Sequence, residues 1–430
     1  MHRSKSSLRC AAGRSARSTR SRSSDTSRAP GSIGSSSIYG GRSKMMPMRS
    51  LQCATVVLVL LWPWEPASAL AASSSAPGAR RRYDSIFSLG DSFTDTGNNP
   101  AVFAWYSIPD PVTRPPYGTT FFGRPTGRNC DGRLIIDFIA EALGLPYVPP
   151  YLGPPFGSPP PPPASSFRRG ASLAVGGATA LDAGFFRSRG LLPAPSKFPL
   201  NASLSVQLEW FESLLKPSLC RTTQECEELF GRSLFFVGEF GVNDYLFSFG
   251  KMSLQDIRSV VVPSIVEIIR QAIERLIKHG AKALVVPGVI PLGCSPPVLF
   301  LFPEADPAGY DARTGCMLKH NEVGRHHNAA LQESLKDLRA KHPGVSIIYA
   351  DFFGPVMDMV QSPRKLGFRE DVLSVCCGGH GRYNYNVSVP CGDANATTCS
   401  RPSASIYWDG VHFTEAANRH ISSTWLSSIS

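Results

Sequence analysis

From Tyr83 onward, short apolar runs alternate with longer amphipathic stretches. Ser85–Leu89, Ser172–Val175, Leu234–Val237, Ala283–Pro287 and Val345–Tyr349 read as buried strands, each too short and too uniformly apolar for a surface helix. Arg133–Leu143 sets Leu134, Ile135, Phe138, Ile139 and Ala142 on one face, as the 3.6-residue period requires. Val206–Leu215 follows Ser205, whose hydroxyl suits a helix cap. Ser253–His279 stops at Gly280, a natural C′ residue, and Gly315–Lys341 stops before Pro343. A last helix starts near Thr414, with Glu415 in the first turn where the helix dipole favours an acid. Strands alternating with helices imply parallel βαβ units, hence one α/β domain over residues 83–430. Pro149–Pro163 holds nine prolines and reads as a polyproline-like surface loop inserted into that pattern. Cys376–Ser405, rich in Gly, Asn and Cys, reads as a long disulfide-pinned loop.

Upstream of residue 83 the pattern is of another kind. Residues 1–44 are rich in Ser and Arg, without apolar periodicity, and read as a disordered or targeting head. Arg49 then precedes the apolar core Ala54–Trp62, and Ala67-Ser68-Ala69 supplies an A-x-A site, so residues 45–72 have the layout of a secretory signal peptide. The core falls short of the roughly 20 apolar residues a membrane span needs. A signal belongs at the N-terminus, so translation is expected to start at Met45, Met46 or Met48. An organellar transit peptide is the rival reading of the head; the segment pattern favours secretion.

Charge follows the same division. Residues 1–50 carry eleven Lys/Arg against one Asp, and residues 51–82 add a further excess of two, so of the total of +11 the remainder holds −1. A near-neutral body gives no case for a nucleic-acid partner. The 42% of apolar residues in the whole chain is enough for a large core.

Nine cysteines lie beyond the signal: Cys130, Cys220, Cys226, Cys294, Cys316, Cys376, Cys377, Cys391 and Cys399. An oxidising compartment would pair most of them and leave at least one free. Cys220 and Cys226 close a short loop, and Cys294 can reach Cys316 across one connection; the last four allow several pairings. A zinc site from Cys376, Cys377, His380, Cys391 and Cys399 matches no standard ligand spacing, so no metal is expected. Asn201-Ala202-Ser203, Asn386-Val387-Ser388 and Asn395-Ala396-Thr397 are glycosylation acceptors in a secreted chain.

Three distant stretches carry the chemistry. Gly90-Asp91-Ser92-Phe93 ends the first strand, Gly241-Val242-Asn243-Asp244 follows the third, and Asp409-Gly410-Val411-His412 lies near the C-terminus. Each alone is commonly a turn or helix cap. Together they hold a hydroxyl nucleophile, a base, a carboxylate to orient it and an amide donor for an oxyanion, the parts that attack on an ester requires. Asp409 and His412, three residues apart, fit a helical turn or a tight loop. In a doubly wound sheet, residues following the carboxyl ends of strands converge on one edge.

These blocks resemble the plant GDSL-type esterase/lipase family, a branch of the SGNH hydrolases. The glycine-bearing run Leu173–Leu181, Val289-Ile290-Pro291-Leu292-Gly293-Cys294 and Tyr407–Phe413 carry the resemblance from about Tyr83 nearly to the C-terminus. It implies a three-layer α/β/α sandwich with a five-stranded parallel sheet, flavodoxin-like in form. It also implies a Ser92–His412–Asp409 triad and oxyanion donors at Ser92 N–H, Gly177 N–H and the Asn243 amide, with Gly176 the alternative to Gly177. No cofactor is implied. Two departures stand out: Ser172 occupies a position where the family often has Asn, and Cys130 stands for Ser within Gly127–Arg133. That makes Cys130 the leading unpaired thiol, with Cys376 or Cys377 as alternatives.

Gly-x-Ser-x-Gly, HExxH and the P-loop motif are all absent from the sequence. Asp91, Asp95 and Asp244 read as turn-fixing acids, and His320, His326 and His327 as surface or packing residues. Phe121 and Phe122 suit an acyl pocket or a core position. The leading expectation is a secreted serine carboxylic-ester hydrolase that forms an acyl-enzyme on a lipid, acetylated-sugar or phenolic ester. An acyltransferase using the same intermediate, or an inactive cell-wall binding glycoprotein, are the alternatives. Oligomeric state is left open.

Overall fold

Continuous apolar runs make strands that are covered on both faces, as a parallel sheet demands. Strands β1 (Ser85–Leu89), β2 (Gly170–Ser172), β3 (Ser233–Val237), β4 (Ala283–Pro287) and β5 (Ser346–Ala350) form one parallel sheet in the order β2-β1-β3-β4-β5. Every residue of β1, β3 and β4 is buried, whereas edge strand β5 begins at exposed Ser346. The computed structural model describes residues 82–153, 164–192, 197–198 and 201–429. The basic head, the signal-like segment and most of the proline-rich stretch lie outside these residues.

The principal helices are α1 (Ile135–Ala142), α2 (Leu204–Trp210), α3 (Val242–Ser248), α4 (Val262–Lys278), α5 (Leu318–Lys341) and α6 (Glu415–Ile429). Neighbouring residues of a strand face opposite sides of the sheet. Phe235 of β3 meets Phe211 and Phe230, while Phe236 meets Trp425 of α6. Helix α6 packs on α1, and α4 packs on both α2 and α5. Helices therefore cover both faces, giving the three-layer α/β sandwich expected from the sequence. Phe87 sits beside Phe235 in the β1–β3 register and meets Phe230 edge-on at 5.4 Å. Such ring pairs add about 0.5–1.5 kcal/mol beyond their buried area.

Several boundaries differ from the sequence expectation. The second strand is Gly170–Ser172 rather than Ser172–Val175. Leu173 N–H still donates to Ser88 O and Val175 N–H to Gly90 O, so the chain follows β1 beyond the strand while turning toward its carboxyl end. Helix α2 begins at Leu204 after Ser203, because fully buried Leu204 already belongs to the packed face; Ser203 Oγ bonds the Asp182 carboxylate instead of capping. Helix α5 starts at Leu318 because Gly315 adopts φ +71°, outside helical space. The stretch opening at Ser253 is helical throughout, but passes through a wide turn at Ile257–Val261 before α4; Ser253 Oγ accepts from Asp256 N–H at 3.0 Å.

Four disulfides join Cys220–Cys226, Cys294–Cys316, Cys376–Cys399 and Cys377–Cys391. Among the described residues Cys130 is the free thiol, and it is buried. Its Sγ takes the Gly132 N–H at 3.3 Å and lies 3.5 Å from Asn418 Nδ2. Among the described residues no helix is long and apolar enough to cross a membrane, and no His/Cys/Asp/Glu group could hold a metal.

Candidate active site

The sheet reverses its order between β1 and β3: from β1 the chain goes out to β2 on one side and then returns to β3 on the other. A crevice at the carboxyl ends of such strands is where α/β sheets bind ligands. Gly90 and Gly238 let the ends of β1 and β3 close on each other, since a Cβ at Gly238 would sit 2.5 Å from Leu89 O. Gln207 brackets Gly90, accepting its N–H at 2.9 Å and donating to its carbonyl at 2.8 Å. Ser92 then stands on a tight turn closed by Thr94 and Asp95 N–H groups on Asp91 O.

His412 Nε2 lies 2.7 Å from Ser92 Oγ, and His412 Nδ1 lies 2.7 Å from Asp409 Oδ1. Asp409 and His412 share a tight loop rather than a helical turn: Trp408 N–H donates to His412 O at 2.7 Å, and Tyr407 bridges Phe413. The two nested disulfides fix that loop from beneath, because Cys376 N–H and Cys377 N–H donate to Tyr407 O and Trp408 O. Each closes a loop whose cross-link stabilises by about 3 kcal/mol in the chain-entropy account. Three residues after the histidine, the Glu415 carboxylate accepts from both the Arg133 guanidinium and the Arg133 backbone N–H, and Asp131 accepts Glu415 N–H. Burial disfavours the charged form of His412, but the Asp409 charge and hydrogen bond outweigh it and raise its pKa above the usual 6.5.

The other blocks arrive as follows. Gly176 N–H is taken by Asp95 Oδ2 at 3.0 Å. Gly177, at φ +79°, has no heavy atom closer than 3.7 Å to where a Cβ would lie. Among the described residues neither Ser92 N–H nor Gly177 N–H has a hydrogen-bond partner. The Asn243 amide is engaged in the structure, giving one hydrogen bond to Asp91 Oδ2 and one to Ala178 O, both at 3.0 Å. Asp244 accepts from Ala180 N–H and Leu181 N–H, joining α3 to the glycine-bearing run. Asp95 accepts from Gly97 and Asn98 as well as Gly176, and Asp91 from Phe93. All three acids hold turns in place, while burial pushes Asp95 and Asp244 up to about 7.

Beside His412 and Asp409 opens a mainly apolar cavity of about 370 Å³, bordered by Leu246, Pro297, Tyr385, Val387 and Val389. Asn386 also borders it, whereas Asn201 and Asn395 are exposed. Phe121 and Phe122 do neither of the things expected of them: they cluster with Tyr147 near the surface, Phe121 beneath the Arg133 guanidinium at 3.8 Å. His327 is buried with Nδ1 2.8 Å from Tyr245 Oη, and His320 is buried against Phe249.

Three residues of this neighbourhood escape a reading by motif. Gln207 and Glu239 are two; the third is Tyr117, whose hydroxyl donates to Asp409 Oδ2 at 2.5 Å from 292 positions away. Burial and the Asp409 charge push its phenol well above its ordinary pKa, so it stays a donor. No local signal marks such a pair. Removing a hydrogen bond to a charged group costs about 1.5–3 kcal/mol, so Tyr117→Phe is expected to lower kcat by roughly tenfold or more with little change in KM. Steady-state kinetics on an accepted ester checks this.

The five-stranded doubly wound parallel sheet, with Ser, His and Asp hydrogen-bonded in series at its switch point, has the form of an SGNH hydrolase, an α/β fold distinct from that of the nucleophile-elbow hydrolases. The model of GDSL-like lipase/acylhydrolases matches residues 86–425, and the chain belongs to that family. It is 45% identical over 350 residues to a GDSL esterase/lipase of Arabidopsis thaliana, covering 80% of this chain and 91% of the relative. It is 44% identical over 349 residues to sinapine esterase of Brassica napus, covering 81% and 86% respectively. The protein is a carboxylic-ester hydrolase.

Proposed function

We propose that the protein hydrolyses its ester through an acyl-enzyme on Ser92. His412 takes the hydroxyl proton as Ser92 attacks the carbonyl, and then returns it to the leaving alcohol; Asp409 holds the imidazole in one tautomer and stabilises its charged form. Water activated by the same histidine resolves the acyl-enzyme. The observation that carries this reading is the unbroken series Ser92 Oγ–His412 Nε2 and His412 Nδ1–Asp409 Oδ1, each link 2.7 Å. Ser92 N–H and Gly177 N–H serve the oxyanion, supported by their lack of other partners among the described residues. Gly176 is set aside because Asp95 takes its N–H. Asn243 contributes by sharing with the oxyanion an N–H that it otherwise gives to Asp91 or Ala178 O. Asn243→Ala is then expected to lower kcat about 100- to 1,000-fold, as loss of a typical oxyanion donor does, with circular dichroism unchanged.

The cavity of about 370 Å³ lies toward the small end of ligand pockets, which run from about 300 to 1,000 Å³. It suits an acyl or alcohol group of modest size. Sinapine, on which the Brassica napus relative acts by its name, belongs with acetylated glycans and short- and long-chain esters in the panel that tests this. Hydrolysis of at least one class by purified protein is expected. Turnover only with an added alcohol acceptor would replace hydrolysis by acyl transfer.

The chain is secreted on this reading, with residues 1–44 upstream of the true start and residues 45–72 removed as a signal. Four disulfides support an oxidising compartment. Glycans on Asn201, Asn386 and Asn395 would follow from it. N-terminal sequencing of exported protein is expected to begin between about Leu70 and Ser73. Intact protein starting at Met1, or import into an organelle, would contradict it.

A further inference from the structure

Glu239 lies between the end of β3 and the start of α3 and is almost wholly buried. Its Oε1 accepts Val242 N–H at 3.0 Å, while its Oε2 is buried with no donor. The group it faces within hydrogen-bonding range is another buried carboxyl, that of Asp91. Two carboxylates have only acceptor atoms, so they can bond only through a proton held between them. The remaining contacts decide which partner carries it. Asp91 accepts Phe93 N–H on Oδ1 and the Asn243 amide on Oδ2, two donors that favour its charged form. Glu239 has one donor. No Lys or Arg among the described residues pairs with either acid, and the titratable groups that bear on them are Asp244 and His412. Two uncompensated charges in such a site would be strongly unfavourable.

We propose that Glu239 is protonated in the folded enzyme and donates through Oε2 to Asp91, forming a chain Glu239–Asp91–Asn243 that positions the oxyanion amide. Burial and the neighbouring Asp91 charge push the Glu239 carboxyl well above its ordinary range, in keeping with that assignment. Burial raises the Asp91 carboxyl to about 6 against the pull of its donors, so Asp91 is the ionised partner above that pH and keeps the Asn243 amide plane fixed. Glu239 is thus a positioning residue, and its role rests on the reading of Asn243 as an oxyanion donor.

The conservative variant separates proton from charge. Glu239→Gln offers an N–H to Asp91 and an oxygen to Val242, as the protonated acid does, and is expected to keep kcat within about twofold. Glu239→Leu removes the donor and is expected to lose on the order of tenfold or more in kcat at unchanged KM, as a displaced transition-state donor does. That loss should vanish when Glu239→Leu is made in an Asn243→Ala background, because coupled residues are not additive. An infrared difference spectrum at pH 8, wild type minus Glu239→Gln, should show the C=O band of a protonated carboxyl. Absence of that band overturns the proposal whether or not Glu239→Leu folds. A Glu239→Gln loss as large as that of Glu239→Leu, or a folded and fully active Glu239→Leu, overturns it as well. A fully active Asn243→Ala would instead remove the oxyanion reading while leaving the infrared test of the proton intact.

Discussion

Ser92→Ala is expected to reduce ester hydrolysis about 10⁶-fold, the scale on which serine hydrolases respond to loss of the nucleophile. The fold should survive. Ser92 Oγ is bonded to His412 Nε2, whereas the turn itself is held by Asp91 O and Asp91 Oδ1. KM should move little, because the cavity wall at Leu246, Pro297 and Tyr385 is untouched. Steady-state kinetics with circular dichroism checks the expectation. A folded Ser92→Ala variant retaining even one part in a hundred of wild-type kcat would require another nucleophile.

Asp409→Asn should lower kcat by about 10⁴-fold, through a histidine held in the wrong tautomer and deprived of its anionic partner. It should also alter the pH profile, and the sign follows from the two opposing effects on His412. On the proposed mechanism His412 acts as base only when neutral, so activity is expected to be lost as pH falls through its pKa. In the wild type Asp409 raises that pKa, placing the acid limb of kcat/KM above the ordinary histidine value of about 6.5. With Asp409 neutralised, burial, the largest of the effects, outweighs the smaller pull of the Asp91 charge and lowers the pKa, so the limb should move to lower pH as the plateau falls. An acid limb that stays in place would mean that Asp409 does not set the charge state of His412.

The parts of this structure that were legible in the sequence are those where one residue's neighbours along the chain decide its environment. Strands β1 and β4 occupy the bounds that their apolar runs mark, and the glycine and proline stops end α4 and α5 where they stand. The five-stranded parallel sheet follows from the alternation of elements. The blocks around Ser92, Gly177 and Asn243 approach each other because each leaves the same edge of that sheet.

What the sequence left open depends on contacts between distant positions. The start of β2 is decided by Gly170, where a side chain would collide with the Ile86 carbonyl, a neighbour visible only in three dimensions. Adjacent Cys376 and Cys377 permit either pairing with Cys391 and Cys399, and only the closed loop chooses the nested one. The acceptors of the Asn243 amide, Asp91 and Ala178, lie 152 and 65 positions away, so no local pattern reveals them. Tyr117 under Asp409 and Glu239 beside Asp91 have the same origin: each is set by packing between elements, which leaves no spacing rule in the chain.

The central claim is that Ser92 is the residue acylated, and covalent labelling tests it most directly. A serine-directed phosphonate is predicted to add once per chain, on Ser92 by peptide mass mapping, in the wild type and also in Asn243→Ala, whose Ser92–His412 pair is intact. Label on another serine, or labelling of Ser92→Ala at the wild-type rate, would contradict it.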